Sequence, residues 1–98
     1  MKKLYISENT LQSLMEMKEK LLDVAGNFFY KPATNENITY LNRLINEIIP
    51  DYNLIFSIHD FRAYVHLDFH SNKINIDIRF KELSTNEEVY LEILKGEE

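Results

Sequence analysis

Between Arg62 and Lys81 the chain reads RAYVHLDFHSNKINIDIRFK, in which apolar and polar residues alternate with hardly a break. That period of two belongs to strands, and it contrasts with the first half of the chain, where apolar residues recur every three or four positions. The first helix is predicted from Ser7, an N-cap, with Glu8 in the first turn complementing the dipole. Ile6 and Leu11 have the spacing of a hydrophobic staple. Leu11, Leu14, Met15, Leu21, Leu22 and Ala25 form its apolar stripe, interrupted by Lys18, whose methylenes can lie along it. Met17 is expected to point away from this stripe. Gly26 suits the end of the helix, or the helix continues through Phe28 and Phe29, and it stops before Lys31-Pro32.

A second helix is predicted after Thr34-Asn35, with Ile38, Leu41, Leu44, Ile45 and Ile48 as its stripe and Pro50 as its end. A short connection makes the two helices antiparallel neighbours. Past Pro50 three antiparallel strands are expected. Leu54, Phe56 and Ile58 oppose Asn53, Ile55, Ser57 and His59 across the first; Ala63, Val65, Leu67 and Phe69, then Ile74, Ile76, Ile78 and Phe80, mark the next two. A two-residue turn at Ser71-Asn72 would set Phe69 opposite Ile74, Leu67 opposite Ile76 and Val65 opposite Ile78.

STNEEVYLEILKGEE reads two ways. Thr85-x-x-Glu88 has capping-box spacing, with Lys95 and Gly96 as stop signals, and predicts a C-terminal helix. Val89, Leu91 and Ile93 alternate like a fourth strand, which is the alternative. The expected fold is thus one α+β domain over residues 1–98, with two N-terminal helices on one face of a three-stranded antiparallel meander. The other sheet face is left to water or to a partner. From Thr34 onward the order helix–three strands–helix is similar to that of a double-stranded-RNA-binding domain. The resemblance is one of topology, over about two-thirds of the chain. It implies a lysine-rich start to the final helix, but Asn86-Glu87-Glu88 stands there and would repel phosphates.

Composition narrows the function classes. At 98 residues, 45% hydrophobic and 28% charged, the chain has the make-up of an ordinary globular domain. It has no cysteine, hence no disulfide, thiolate ligand or cysteine nucleophile. No leader-like apolar run follows the initial lysines and no window reaches about 18 apolar residues, so the expected setting is the cytoplasm, away from membranes. The net charge of −5 opposes non-specific attraction to nucleic acid. Abundant Asn, Ile, Lys and Tyr accord with an A+T-rich gene, as in low-GC bacteria and their phages.

Candidate chemistry centres on the outward face of the predicted hairpin. There His66 would oppose Asp77, Tyr64 would oppose Arg79, Asp68 would oppose Asn75, and His70 would oppose Lys73. A carboxylate beside an imidazole can orient a catalytic base or a metal ligand. His66-x-x-x-His70 cannot chelate one zinc in a strand, where four residues span roughly 13 Å. A metal-assisted hydrolase would instead have to use His66, Asp68 and Asp77. Ser57 lacks a base, and no Gly-x-Ser-x-Gly elbow or phosphate-binding loop is present. Glu82, Glu87, Glu88, Glu92, Glu97 and Glu98 could mimic nucleic acid or simply be solvated. Phe28-Phe29-Tyr30 fits either core packing or an interface. The favoured expectation is a non-enzymatic, cofactor-free module that binds another protein: an inhibitor, immunity protein or phage-encoded antagonist. Its contact face would be Ile55, Tyr64, His66, Asp68, Asp77 and Arg79, with Tyr64 and Arg79 as anchors. A homodimer through the first helix or an exposed strand edge is the structural alternative.

Overall fold

The computed structural model describes residues 2–93. Two helices lie on one face of a four-stranded mixed sheet, so the α+β class holds. The elements run β1 (Lys2–Ile6), α1 (Glu8–Ala25), α2 (Asn35–Phe56), β2 (Phe61–His70), β3 (Lys73–Glu82) and β4 (Glu88–Ile93). In the sheet they are ordered β1-β4-β3-β2, with β1 parallel to β4 and the other pairs antiparallel. Helix, strand and turn assignments thus depart from the expected meander at four places.

The first is β1. Lys2, Leu4 and Ile6 face the helices while Lys3 and Tyr5 face out, a period of two too short to stand out from a polar N-terminus. The second is α1, whose buried residues are Thr10, Leu14, Met17, Leu21 and Ala25. Met17 is fully buried, whereas Met15 and Leu22 are each 59% exposed, so the helix is rotated relative to the expected stripe. Ser7 caps it as expected, its Oγ accepting from the Thr10 N–H at 3.2 Å. Gly26 is right-handed helical (φ −58°) and begins a 3-10 turn instead of acting as a left-handed cap.

The third departure is at Pro50. Thr34 caps α2 through Asn37 N–H, and the helix runs straight past the proline to Phe56. A proline in a helix interior costs about 3 kcal/mol. Continuing the helix buries Ile49, Tyr52 and Phe56 in register with Leu41 and Ile45, at about 1.5–3 kcal/mol for each large side chain. Burial outweighs the lost bond, and the Asn46 carbonyl that Pro50 cannot serve lies on an exposed side. Ile55 is therefore on α2 and does not belong to the sheet face, and Leu54 and Ile58 are exposed.

A 3-10 turn (Ser57–His59) and a left-handed Asp60 (φ 64°) swing the chain into β2. Phe56 and Phe61 stack at 4.9 Å across that corner, and Phe80 meets Phe61 edge-on, locking helix layer to sheet. The β2–β3 hairpin has the expected register at every position, from Phe61 opposite Glu82 to His70 opposite Lys73. Ser71 and Asn72 both have positive φ (53° and 62°), the geometry of a type I′ turn. These two ten-residue strands help set the long axis of a body 48 × 25 × 23 Å. Its radius of gyration is 14.7 Å, against about 12.5 Å for a compact chain of this length.

The fourth departure is β4. Thr85 does not cap a helix: its Oγ1 donates to Glu82 Oε1 at 2.9 Å and accepts from Glu87 N–H, closing a tight turn with Asn86 left-handed. Val89 and Leu91 then pack inward, so the strand alternative is the one observed. Lys95, Gly96, Glu97 and Glu98 lie outside the described residues. With a strand at this end, the likeness to the double-stranded-RNA-binding order does not hold.

Candidate functional site

The helix-free face of the sheet carries the odd residues of β1, the even residues of β2 and β4, and the odd residues of β3, because side chains alternate along a strand. One row crosses Tyr64 and Arg79, and a second crosses Arg62, Lys81 and Glu88. Lys3 lies beside Tyr90, and Tyr5 beside Glu92. Asp68, Asp77 and Arg79 fall where the alternation placed them.

The expected His66–Asp77 partnership does not form. The two residues are opposed, yet Asp77 Oδ2 accepts from Arg79 Nε at 3.0 Å, two residues along the same strand. No hydrogen bond or ion pair joins His66 to Asp77 among the described residues. Asp68 lies 2.8 Å from His70 Nε2, a pair exposed at the hairpin end. Among the described residues no group of three His, Asp or Glu side chains is placed to hold a metal ion, and His66, Asp68 and Asp77 form none.

What the face holds instead is a network around Tyr64. Its hydroxyl donates to Glu88 Oε1 at 2.6 Å, and that same oxygen lies 3.7 Å from Arg79 Nη1. The hydrogen bond to Glu88, then partial burial, holds the phenol above its ordinary titration range. The Arg62 guanidinium and Lys81 ammonium lie 5.6 and 5.3 Å from the Tyr64 ring centre. Tyr5 and Tyr90 flank this network at 59% and 58% exposure. The sequence pattern did not place Glu88, Tyr90 or Tyr5 on this face. Glu88 and Tyr90 were assigned to a helix, and the parallel β1–β4 pairing that brings in Tyr5 joins opposite ends of the chain.

Three of the six acids from Glu82 to Glu98 make side-chain contacts among the described residues. Lys2 Nζ donates to Glu82 at 2.9 Å and Lys3 pairs with Glu92 at 3.1 Å, tying β1 to its neighbours. Glu82 is buried on the helix side at the end of the sheet, and bonds from Lys2 and Thr85 hold its carboxyl below the usual range. Glu88 is held by Tyr64, while Glu87 is exposed and Glu97 and Glu98 lie outside the described residues.

Phe28 is partly buried against Tyr40, with ring centres 5.6 Å apart, while Tyr30 is exposed. Their segment also has a backbone role. Tyr30 N–H donates to the Ile74 carbonyl and Ile74 N–H to the Lys31 carbonyl, pairing this loop with the start of β3. At the opposite edge of the sheet, the Asn53 side chain receives Ala63 N–H at 2.8 Å and donates to the Ala63 carbonyl at 3.0 Å. One amide side chain thus takes the place of a missing neighbour strand at that point.

No helix among the described residues is long and apolar enough to cross a membrane. Comparisons with protein-family models, curated proteins and solved structures gave no match, so the functional reading rests on the residues themselves.

Proposed function

We propose that this chain is a non-catalytic module that captures another protein on the helix-free face of its sheet, in the manner of an inhibitor or antagonist. The observation that carries this reading is the pre-ordered Tyr64–Glu88–Arg79–Asp77 network between the exposed rings of Tyr5 and Tyr90. Tyrosine and arginine dominate interface hot spots because each offers a large contact area with few torsions or with a pre-formed donor fork. Here their geometry is set before any partner arrives, which lowers the ordering cost of association. The contact set is accordingly Tyr5, Tyr64, Arg79, Glu88 and Tyr90, with His66, Asp68 and Asp77 at its margin; Ile55 drops out, and Tyr5 of β1 with Glu88 and Tyr90 of β4 come in.

The reading is tested by affinity capture from source lysate with the wild type and with Arg79→Ala combined with Tyr90→Ser. A stoichiometric partner retained by the wild type and lost by the double variant, at equal folded content by circular dichroism, supports it. Equal capture by both proteins would refute the choice of face.

A further inference from the structure

The ladder between β3 and β4 covers two positions, Phe80–Val89 and Lys81–Glu88, and beyond them the strands are no longer paired. At its other end, β3 is bonded along this same edge by Tyr30 and Lys31 through Ile74. Glu82 N–H, bonded to the Glu87 carbonyl, shows the same orientation. Alternation in an antiparallel ladder then fixes the remainder: Ile74, Ile76, Ile78, Phe80 and Glu82 direct their N–H and C=O groups to this edge. Asn75, Asp77 and Arg79 direct theirs to β2. Ile76 and Ile78 therefore present four main-chain polar groups with no strand opposite them among the described residues. The engagement of Ala63 by Asn53 on the far edge of β2 follows the same alternation.

Beside this open stretch run two cavities, of about 660 and 270 Å³, that share Lys18, Asp77 and Ile78 in their walls. Leu11 and Leu14 of α1 with Val89 and Leu91 of β4 line the first; Leu21, Leu22 and Phe29 line the second. Together they make a groove between α1 and the free edge of β3. Its α1 wall includes the partly buried Leu11, the Lys18 side chain and the exposed Leu22, a stripe residue that the fold leaves uncovered.

We propose that this groove accepts an extended segment of a partner protein as an added strand along Ile76 and Ile78. An amide side chain can serve one such residue, as Asn53 serves Ala63, but two alternate residues with no partner among the described residues match the repeat of an added strand. Residues opposite Ile76 and Ile78 project to the same side as those isoleucines, over the apolar groove, and their neighbours project beside Asp77 and Arg79. The segment is thus apolar at alternate positions and polar between them. This site rests on the backbone of β3 and does not depend on the Tyr64 network.

The test uses the wild-type chain and a seven-residue peptide, acetylated and amidated, alternating threonine and valine between terminal lysines. Residue-resolved amide exchange is followed by NMR. In the free protein the Ile76 and Ile78 amides exchange faster than those of Asp77 and Arg79. The peptide slows exchange at Ile76 and Ile78 by about ten-fold or more at millimolar concentration, and the same peptide N-methylated at both valines does not. Ile76 and Ile78 amides already protected in the dilute free protein would overturn the proposal, because the chain then fills its own groove. So would protection that appears only on concentrating the protein, which assigns the edge to a second copy. Unchanged exchange with the peptide, or protection at Val65 and Leu67 on the β2 edge instead, would also overturn it.

Discussion

Asn53→Ala tests how the sheet ends. The Asn53 side chain makes two hydrogen bonds to Ala63, 2.8 Å from its N–H and 3.0 Å to its carbonyl, and Ala63 is 1% exposed. Removing the amide leaves one buried donor and one buried acceptor without partners, and each such group costs about 1–3 kcal/mol. Water can reach the site in part, because Asn53 itself is half-buried, so the lower half of that range applies: about 2–4 kcal/mol for the pair. Helix propensity works the other way, since alanine is the better helix former by about 0.5 kcal/mol. The net expectation is a loss of about 1.5–3.5 kcal/mol in urea unfolding, seen as a lower midpoint with an unchanged slope. Asn53→Asp keeps the acceptor for Ala63 N–H but sets an anion against its carbonyl, and should be at least as harmful as alanine. A second consequence is a free β2 edge, visible as concentration-dependent self-association by light scattering. An alanine variant within 0.5 kcal/mol of wild type (roughly the propensity difference alone) would refute the assignment of Asn53 as an edge cap.

Met17→Ala should cost about 2–5 kcal/mol by leaving a cavity, while Met15→Ala, at an exposed site, should change the urea midpoint little; the reverse ranking would put the α1 face in error. Glu82 has a depressed carboxyl, so its contribution is complete above the ordinary glutamate range and is lost as pH falls through the lower folded value. Lys2→Met should therefore flatten the loss of stability on the acid side of about pH 4.3, measured as denaturation midpoint against pH, and an unchanged acid limb would exclude the pair as its source. Ser71→Gly relieves a left-handed serine and should raise the thermal midpoint by the equivalent of about 0.5–1 kcal/mol, whereas Ser71→Val should lower it.

Local pattern made the hairpin legible. Its register is over-determined, because a one-residue slip between Ala63–Phe69 and Ile74–Phe80 would turn every apolar side chain to water. The capping residues Ser7 and Thr34 were legible for a similar reason: their bonds close within three residues. Pro50 misled because its cost is local while the compensating burial of Ile49, Tyr52 and Phe56 depends on tertiary contacts. That error moved Asn53 and Ile55 into a strand and hid the edge cap. In Thr85–Glu88 the capping-box signal lost to a sheet contact: Glu88 meets Tyr64, 24 residues away. Met15 and Met17 show a further limit, since α1 carries two partial apolar stripes and only packing decides which one is buried. Tyr64 and Arg79 were found by alternation, while Tyr5 and Tyr90 needed the pairing of β1 with β4.

The tyrosines offer the most direct measurement. Hydroxyl-radical footprinting of the complex with a captured partner reports on Tyr5 and Tyr90 of the proposed face and on Tyr30 and Tyr40 elsewhere, all exposed in the free chain. Strong protection of Tyr5 and Tyr90 with unchanged reactivity at Tyr30 and Tyr40 is the predicted result. Protection of Tyr30 and Tyr40 with Tyr5 and Tyr90 still reactive would contradict the assignment of the helix-free sheet face as the binding surface.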